Sequence, residues 1–392
     1  MRVGAASLLT GLLLCGAAAR AVDIPPVDQP NASEPAKLSL IPFKYTFHGF
    51  IKAGYVYVPY NPDVSPLVGR DAGFRMYNSR LGFSGSFGEH VDFELSLDSQ
   101  FQIDPQTGLG PVSVGFADAF TTLHWGAAYL QLGQFKTPFN GEFLLDDQYV
   151  PFARRSAISD GLLVDEATSP QAPISLDREL GAMLGVKVPL AGKLAFTAQF
   201  AAVNGNGPNQ ARNDNSKVAL VGRVGVGSGL FSVNASGFWN DRTAGVLAER
   251  QDERDYAGDL DFLFDLKGFR FGNLGAGFKI FGMAAYKKTK YLTIGQNQDK
   301  NSLGLVGSVA MPLTSTFIIV EPALRVAYFQ PDSTLTNSAD ASQFSITDYT
   351  IGVNISPLVI PLRFQLNYTY RAAAAIWNQP TTLAEVAVQA NF

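Results

Sequence analysis

Pro361 to Arg371 reads PLRFQLNYTYR: Leu362, Phe364, Leu366, Tyr368 and Tyr370 alternate strictly with Arg363, Gln365, Asn367, Thr369 and Arg371. A strand sends successive side chains to opposite faces, so this segment has one apolar face and one polar, partly charged face. Its length separates it from an ordinary sandwich strand. Globular strands run about five or six residues, whereas about ten residues cross a bilayer when tilted.

The same period recurs on either side. In VDFELSLDSQF, Val91, Phe93, Leu95 and Leu97 oppose Asp92, Glu94, Ser96 and Asp98. FSITDYTIGVNI and TLAEVAVQANF repeat it, with Tyr349, Ile351, Val353 and Ile355, then Val386, Val388, Ala390 and Phe392, on the apolar side. Sixteen strand-like runs begin near residues 47, 75, 90, 114, 127, 179, 192, 216, 229, 256, 270, 302, 316, 344, 361 and 383. Short connections such as Gly88-Glu89 and Gly126-Ala127 alternate with long polar ones such as 204–215 and 330–343. Hydrocarbon cannot satisfy an unpaired backbone N–H or C=O, so spanning strands have to close without an edge. The pattern predicts an all-β fold, a transmembrane antiparallel barrel of about sixteen strands with its apolar side on lipid. Aromatics near strand ends, Tyr55, Tyr57, Trp125, Trp239, Tyr328, Tyr368 and Tyr370, suit interfacial girdles, and a soluble sandwich or secreted solenoid fits the strand lengths poorly.

Composition agrees. The 392 residues include 38 Gly, 29 Phe and 14 Tyr but one Cys, with 16% charged residues and no apolar run of spanning length after the N-terminus. Residues 1–21 have a basic start at Arg2, an apolar centre from Leu8 to Leu14 and Ala19-x-Ala21, the plan of a cleaved signal peptide. Cys15 falls in that segment, and Leu12 to Leu14 ahead of it lack the small residue of a lipoprotein site. Residues 22–43 read as a flexible lead-in and 44–392 as the barrel domain. Removing Arg2 and Arg20 from a chain of net charge −4 leaves −6, with no nucleic-acid footprint.

If the apolar side meets lipid, the opposite parity lists the pore wall. The inward bases are Lys52, Arg80, Lys187, Lys217, Arg223, Lys279, Arg325, Arg363 and Arg371. The inward acids are Asp92, Glu94, Asp98, Asp118, Asp259, Asp261, Asp265, Glu321, Asp348 and Glu385. So many ionisable groups require a wet lumen, because burying each in a dry core costs several kcal/mol. Acids clustered at 92–98 and 259–265, with arginines drawn mainly from other strands, predict opposed arcs and a field across the lumen.

One stretch breaks the period: QFKTPFNGEFLLDDQYVPFARRS, Gln134 to Ser156, opens a connection of about forty residues before the strand near Glu179. Phe139, Phe143, Leu144, Leu145, Tyr149 and Phe152 make it too apolar for disorder, and loops of this length are usually functional. It is expected to fold into the barrel and constrict it, presenting Arg154 and Arg155 to anions at the narrowest point. In the alternative, Arg154 and Arg155 pair with Asp146, Asp147 or Asp160 and only pin the loop. His48, His90 and His124 sit in no nucleophile, triad or metal spacing, so no catalysis, metal or cofactor is expected.

Three stretches resemble the phosphate-selective porin O and P family of outer-membrane channels. They are LQLGQFKTPFNGEFLLDDQYVPFARRSAISDGL with DRELGAMLGVKV, AVNGNGPN with DNSKVALVGRV, and RMYNSRLGFSGSF. The resemblance implies a Gram-negative outer-membrane location, a sixteen-stranded barrel, a homotrimer, an inward third loop and passive diffusion of small anions such as phosphate. The matching positions are Gln134, Phe135, Lys136, Pro138 and Phe139 at the loop entry, Arg155 before Ser156, and Arg178 before Gly181, and the resemblance implies that Lys136 and Arg178 join Arg154 and Arg155 as anion-binding cations of the constriction. The negative charge, and a wall where acids slightly outnumber bases, depart from the arginine-lined pore of the phosphate-selective members; a general or cation-leaning porin is the alternative.

Overall fold

The computed structural model describes residues 43–58, 72–101, 112–161, 172–244, 251–271, 274–292, 299–332, 345–373 and 381–392. The expected signal peptide and residues 22–42 of the lead-in lie outside these. Eighteen strand segments form one sheet. Gly73–Met76 and Arg80–Phe87 both pair with the first strand, and Lys300–Ala310 and Leu313–Thr314 both lie between the same two neighbours. Each couple is one interrupted stave, so the barrel has 16.

In chain order the staves are β1 (Phe43–Tyr57), β2 (Gly73–Met76 with Arg80–Phe87), β3 (Val91–Phe101), β4 (Val112–Trp125), β5 (Ala128–Lys136), β6 (Arg178–Pro189), β7 (Ala195–Val203) and β8 (Ala219–Gly227). They continue as β9 (Phe231–Ala244), β10 (Gln251–Phe271), β11 (Leu274–Tyr291), β12 (Lys300–Ala310 with Leu313–Thr314), β13 (Ile318–Gln330), β14 (Ile346–Pro357), β15 (Leu362–Ala373) and β16 (Thr381–Asn391). Every neighbouring pair is antiparallel, and β1 closes on β16 from Phe50↔Asn391 to Tyr57↔Ala384. No edge is left to bond water or a second chain.

The alternation read from the sequence is the alternation of the wall. On β15, Gln365 is 0% exposed and Arg371 4%, whereas Leu366 is 40% and Tyr368 49%. The exposed set is the lipid-facing set; Tyr55, Tyr57 and Trp125 stand on it near the strand ends. Tight turns join the staves at one end, where Gly88 (φ 62°) and Gly126 (φ 60°) take the left-handed conformation that glycine adopts without a side-chain clash.

Two β-bulges locally shift the register, one between β3 and β4 opposite Leu95 to Leu97, the other between β10 and β11 at Lys267 to Phe269. The first re-aims β4, so Asp118 reaches Ser96 and Arg178. Inside, a hydrophobic cluster joins loop residues Phe139, Ile158 and Ile174 to wall residues including Met183, Phe238, Phe281 and Phe329. The lumen is therefore partly filled by the β5–β6 connection.

Candidate functional site: the loop across the lumen

Among its described residues the β5–β6 connection holds two short helices, α1 (Gly141–Leu144) and α2 (Ala157–Asp160), with a 3-10 turn at Asp147–Tyr149. Asn140 caps α1 by accepting from the Phe143 N–H, and its amide donates to the Ile174 carbonyl at 2.9 Å. Glu142, 4% exposed, accepts from the Ser156 N–H at 3.0 Å and from the hydroxyls of Ser156 and Ser159. These bonds fold the loop onto itself.

The wall holds the rest. Lys52 donates to the Ala153 carbonyl at 2.6 Å, Arg325 to that of Arg154 at 2.8 Å, Arg363 to that of Gln148 at 2.8 Å and Asn354 to that of Pro151 at 2.8 Å. Gln365 and Gln389 add bonds of 3.3 Å to Val150 and Gln148, and the Ala153 N–H donates to Asn367 at 2.8 Å. A buried irregular backbone needs such partners, and here they come from β1 and β13–β16. Packing follows the same contour. A Cβ at wall residue Gly304 would meet Ile158 at 2.5 Å, so only glycine lets α2 approach β12 this closely.

Cations gather where the loop returns to β6. The side chains of Lys136, Arg155 and Arg178 lie 5.1, 5.3 and 5.8 Å from the centre of the Phe143 ring. Lys136 also donates to the carbonyls of Phe143 (3.0 Å) and Leu145 (3.2 Å). Arg155 pairs with Asp147 and donates to the carbonyls of Glu142 and Leu145; Asp147 takes a second arginine, Arg80, at 3.1 Å. Burial opposes ionisation of Asp147, but Arg155, Lys136 and Arg80 outweigh it and hold this carboxyl well below the usual range. Arg154 takes another route, reaching Glu385 of β16 at 3.2 Å.

Asp147, Arg154, Arg155, Arg178 and Glu385 line a cavity of about 700 Å³ on one face of the loop, whose walls also include Arg371 and Asp348. A second cavity of about 440 Å³, lined by His48, Arg80, Glu94, Asp118 and Lys136, lies on the other face. Asp160 lines the first cavity with an exposed surface yet sits deep in the lumen. Burial pushes its carboxyl up to about 6, Arg155 working against the rise.

The pore-wall charges expected from parity are placed as follows. Arg80 pairs with Asp98 (2.8 Å), Arg178 with Asp118 (3.0 Å), Arg223 with Asp261 (2.7 Å) and Arg371 with Asp348 (2.7 Å). Glu321 takes both Lys279 (3.3 Å) and Arg363 (2.9 Å); Asp259 accepts from the Gly141 N–H at 3.3 Å. Asp92 meets His124 and Glu94 meets His48, while Asp265 stands opposite Lys279 in register and pairs with Lys267.

Two expectations are corrected. Acids and bases do not occupy opposed arcs: most pair at close range along the wall, because the register puts complementary charges on neighbouring staves. Lys217 precedes β8 and pairs at 2.9 Å with Asp241, whose parity with the exposed Val233 puts it on the outward face. The pairing of Arg155 with Asp147 is the one the alternative reading named. The sequence reading missed Glu142, the loop's internal anchor, whose signal was an acid embedded in an apolar segment that also carries Ser156 and Ser159.

The family model described as phosphate-selective porin O and P matches residues 55–242. No curated protein sequence matches. Among solved structures, the anion-selective porin from Comamonas acidovorans is similar at TM-score 0.52 and 15% identity, covering 89% of this chain and 100% of that one. The outer membrane channel DcaP of Acinetobacter baumannii gives 0.53 at 13%, covering 89% and 97%, and Pseudomonas putida OprB 0.51 at 9%, covering 89% and 94%. At these identities the likeness concerns the fold. Closed barrel, inward loop and family match together make this a diffusion channel of the outer membrane rather than an enzyme, and residues 55–242 match the phosphate-selective porin O and P family.

Proposed function

We propose that the channel favours small anions, phosphate among them, and that the preference arises where the β5–β6 loop meets β6. The observation that carries this reading is the gathering of Lys136, Arg155 and Arg178 within 6 Å of one ring, Phe143. Lys136 is answered there by carbonyls, whereas Arg155 and Arg178 have carboxylate partners. Guanidinium forks suit phosphate and carboxylate oxygens, and a narrowed lumen of reduced dielectric strengthens their pull. Close pairing along the rest of the wall leaves the preference modest, which accommodates a chain of negative net charge. Purified protein in planar bilayers across a potassium chloride gradient tests it. A reversal potential of the sign set by chloride, with conductance falling as phosphate is added, supports the proposal; a potassium-dominated potential refutes it.

The homotrimer implied by the family belongs to the same proposal. The mass of the detergent-solubilised protein checks it.

A further inference from the structure

The outward face of the barrel is apolar nearly everywhere, as a lipid-facing wall has to be. On β1–β4 and β12–β16 no charged residue stands on that face among the described residues. The extracellular ends of β10 and β11 differ. Lys287 and Thr289 are buried in the lumen, so Lys288 and Lys290 point outward; Arg254, flanked by the inward Glu253 and Asp255, does the same. The pairing register puts Arg254 directly opposite Lys290, a like-charge juxtaposition that costs energy unless something negative covers it.

The height of this patch is fixed by its neighbours. Arg254 lies over the Trp239 ring at 5.6 Å and Lys290 over Tyr256 at 5.7 Å, so the cations rest on an aromatic girdle. Below it, Leu260 and Phe262 are exposed in the hydrocarbon band. β10 has 21 residues and β11 has 18, long enough to cross the bilayer and carry these cations past its apolar core.

Local acids answer only part of the charge. Asp241 takes both Lys217 and Arg254, and Asp299 approaches Lys288 to 3.6 Å. Asp252 stands farther out, bonded to Thr243, and no described carboxylate pairs with Lys290. We infer that this patch docks the phosphate-bearing headgroup of an outer-leaflet lipid, with Lys288 and Lys290 as its principal contacts and the Trp239–Tyr256 girdle beneath the headgroup.

Native mass spectrometry of the full chain tests it, using detergent micelles doped with phosphatidic acid or, in parallel, phosphatidylcholine. Wild type should retain phosphatidic acid selectively, and the double variant Lys288→Gln, Lys290→Gln should retain roughly thirtyfold less, each lysine near a headgroup contributing about 1 kcal/mol. Lys267→Gln at the opposite rim should behave as wild type. Unchanged single-channel conductance shows that the double variant is folded. Equal retention of both lipids by wild type, or undiminished retention by the double variant, overturns the inference. So does release of the lipid by equimolar inorganic phosphate, which would make this a free-anion site. A change in oligomer mass in lipid-free detergent, with retention unchanged, would make the face a contact between copies and also overturn it.

Discussion

The barrel wall and the β5–β6 loop satisfy their backbones in opposite ways. Wall staves bond to adjacent staves through ladders that any sequence of the right period can form, so side chains are free to face lipid on one side and the lumen on the other. The loop has few backbone partners of its own and borrows side chains from distant staves: Lys52, Arg325, Asn354, Arg363, Gln365 and Gln389 all end on its carbonyls. A cation that reads as pore-lining by parity can therefore be holding structure. Lys52, Arg325 and Arg363 are inward, but they are buried beneath the loop.

The largest expected effect tests the wall. Leu366→Arg or Val388→Arg puts a charge on the lipid face at a cost of roughly 2–4 kcal/mol and should sharply reduce assembled barrel in a heat-modifiability assay. Gln365→Arg and Gln389→Arg should still assemble, because those side chains face inward; their effect should appear as altered conductance, since both bond the loop. Equal loss of assembly in the two sets would break the contrast.

Next in size is Arg155→Ala. It deprives the buried Asp147 of one of its two arginines and the Glu142 and Leu145 carbonyls of a donor. Removing one member of a buried ion pair typically costs about 3–5 kcal/mol, enough to release the loop locally without unfolding a closed barrel. Single-channel records should show higher, noisier conductance. Arg155→Lys should restore part of the quiet state.

The smallest effect is the pH response of Asp160. A carboxyl pushed up to about 6 is ionised above pH 7 and becomes neutral as the pH falls through 6, removing one negative charge from the cavity. Anion preference should therefore rise on acidification from pH 7 to 5. Asp160→Asn should hold the acidic value at both pH values and abolish that part of the change.

How much of this was legible in the sequence depends on what each feature needed to be seen. Strand positions follow from local alternation, and all sixteen runs correspond to staves. The loop announced itself by length and loss of period. Its partners could not be read: Arg363 meets Gln148 and Lys52 meets Ala153 only because closure of the barrel brings β15 and β1 beside it. The opposed arcs failed for a related reason. Parity assigns a residue to a face, but only register tells whether Arg371 stands beside Asp348 or across the lumen from it.

Within the loop, Arg154 separates selectivity from structure more cleanly than Arg155 does, because its side chain reaches a wall carboxylate while its carbonyl anchors the loop in any variant. The decisive measurement is the reversal potential of Arg154→Ala against wild type across a potassium chloride gradient, in channels of matched conductance noise. The loop as selective constriction predicts a fall in anion-over-cation permeability of roughly two- to fivefold, the size expected for one charge lost beside the path of the ion. An unchanged ratio would contradict a part for Arg154 in selection and leave it only holding the loop through Glu385.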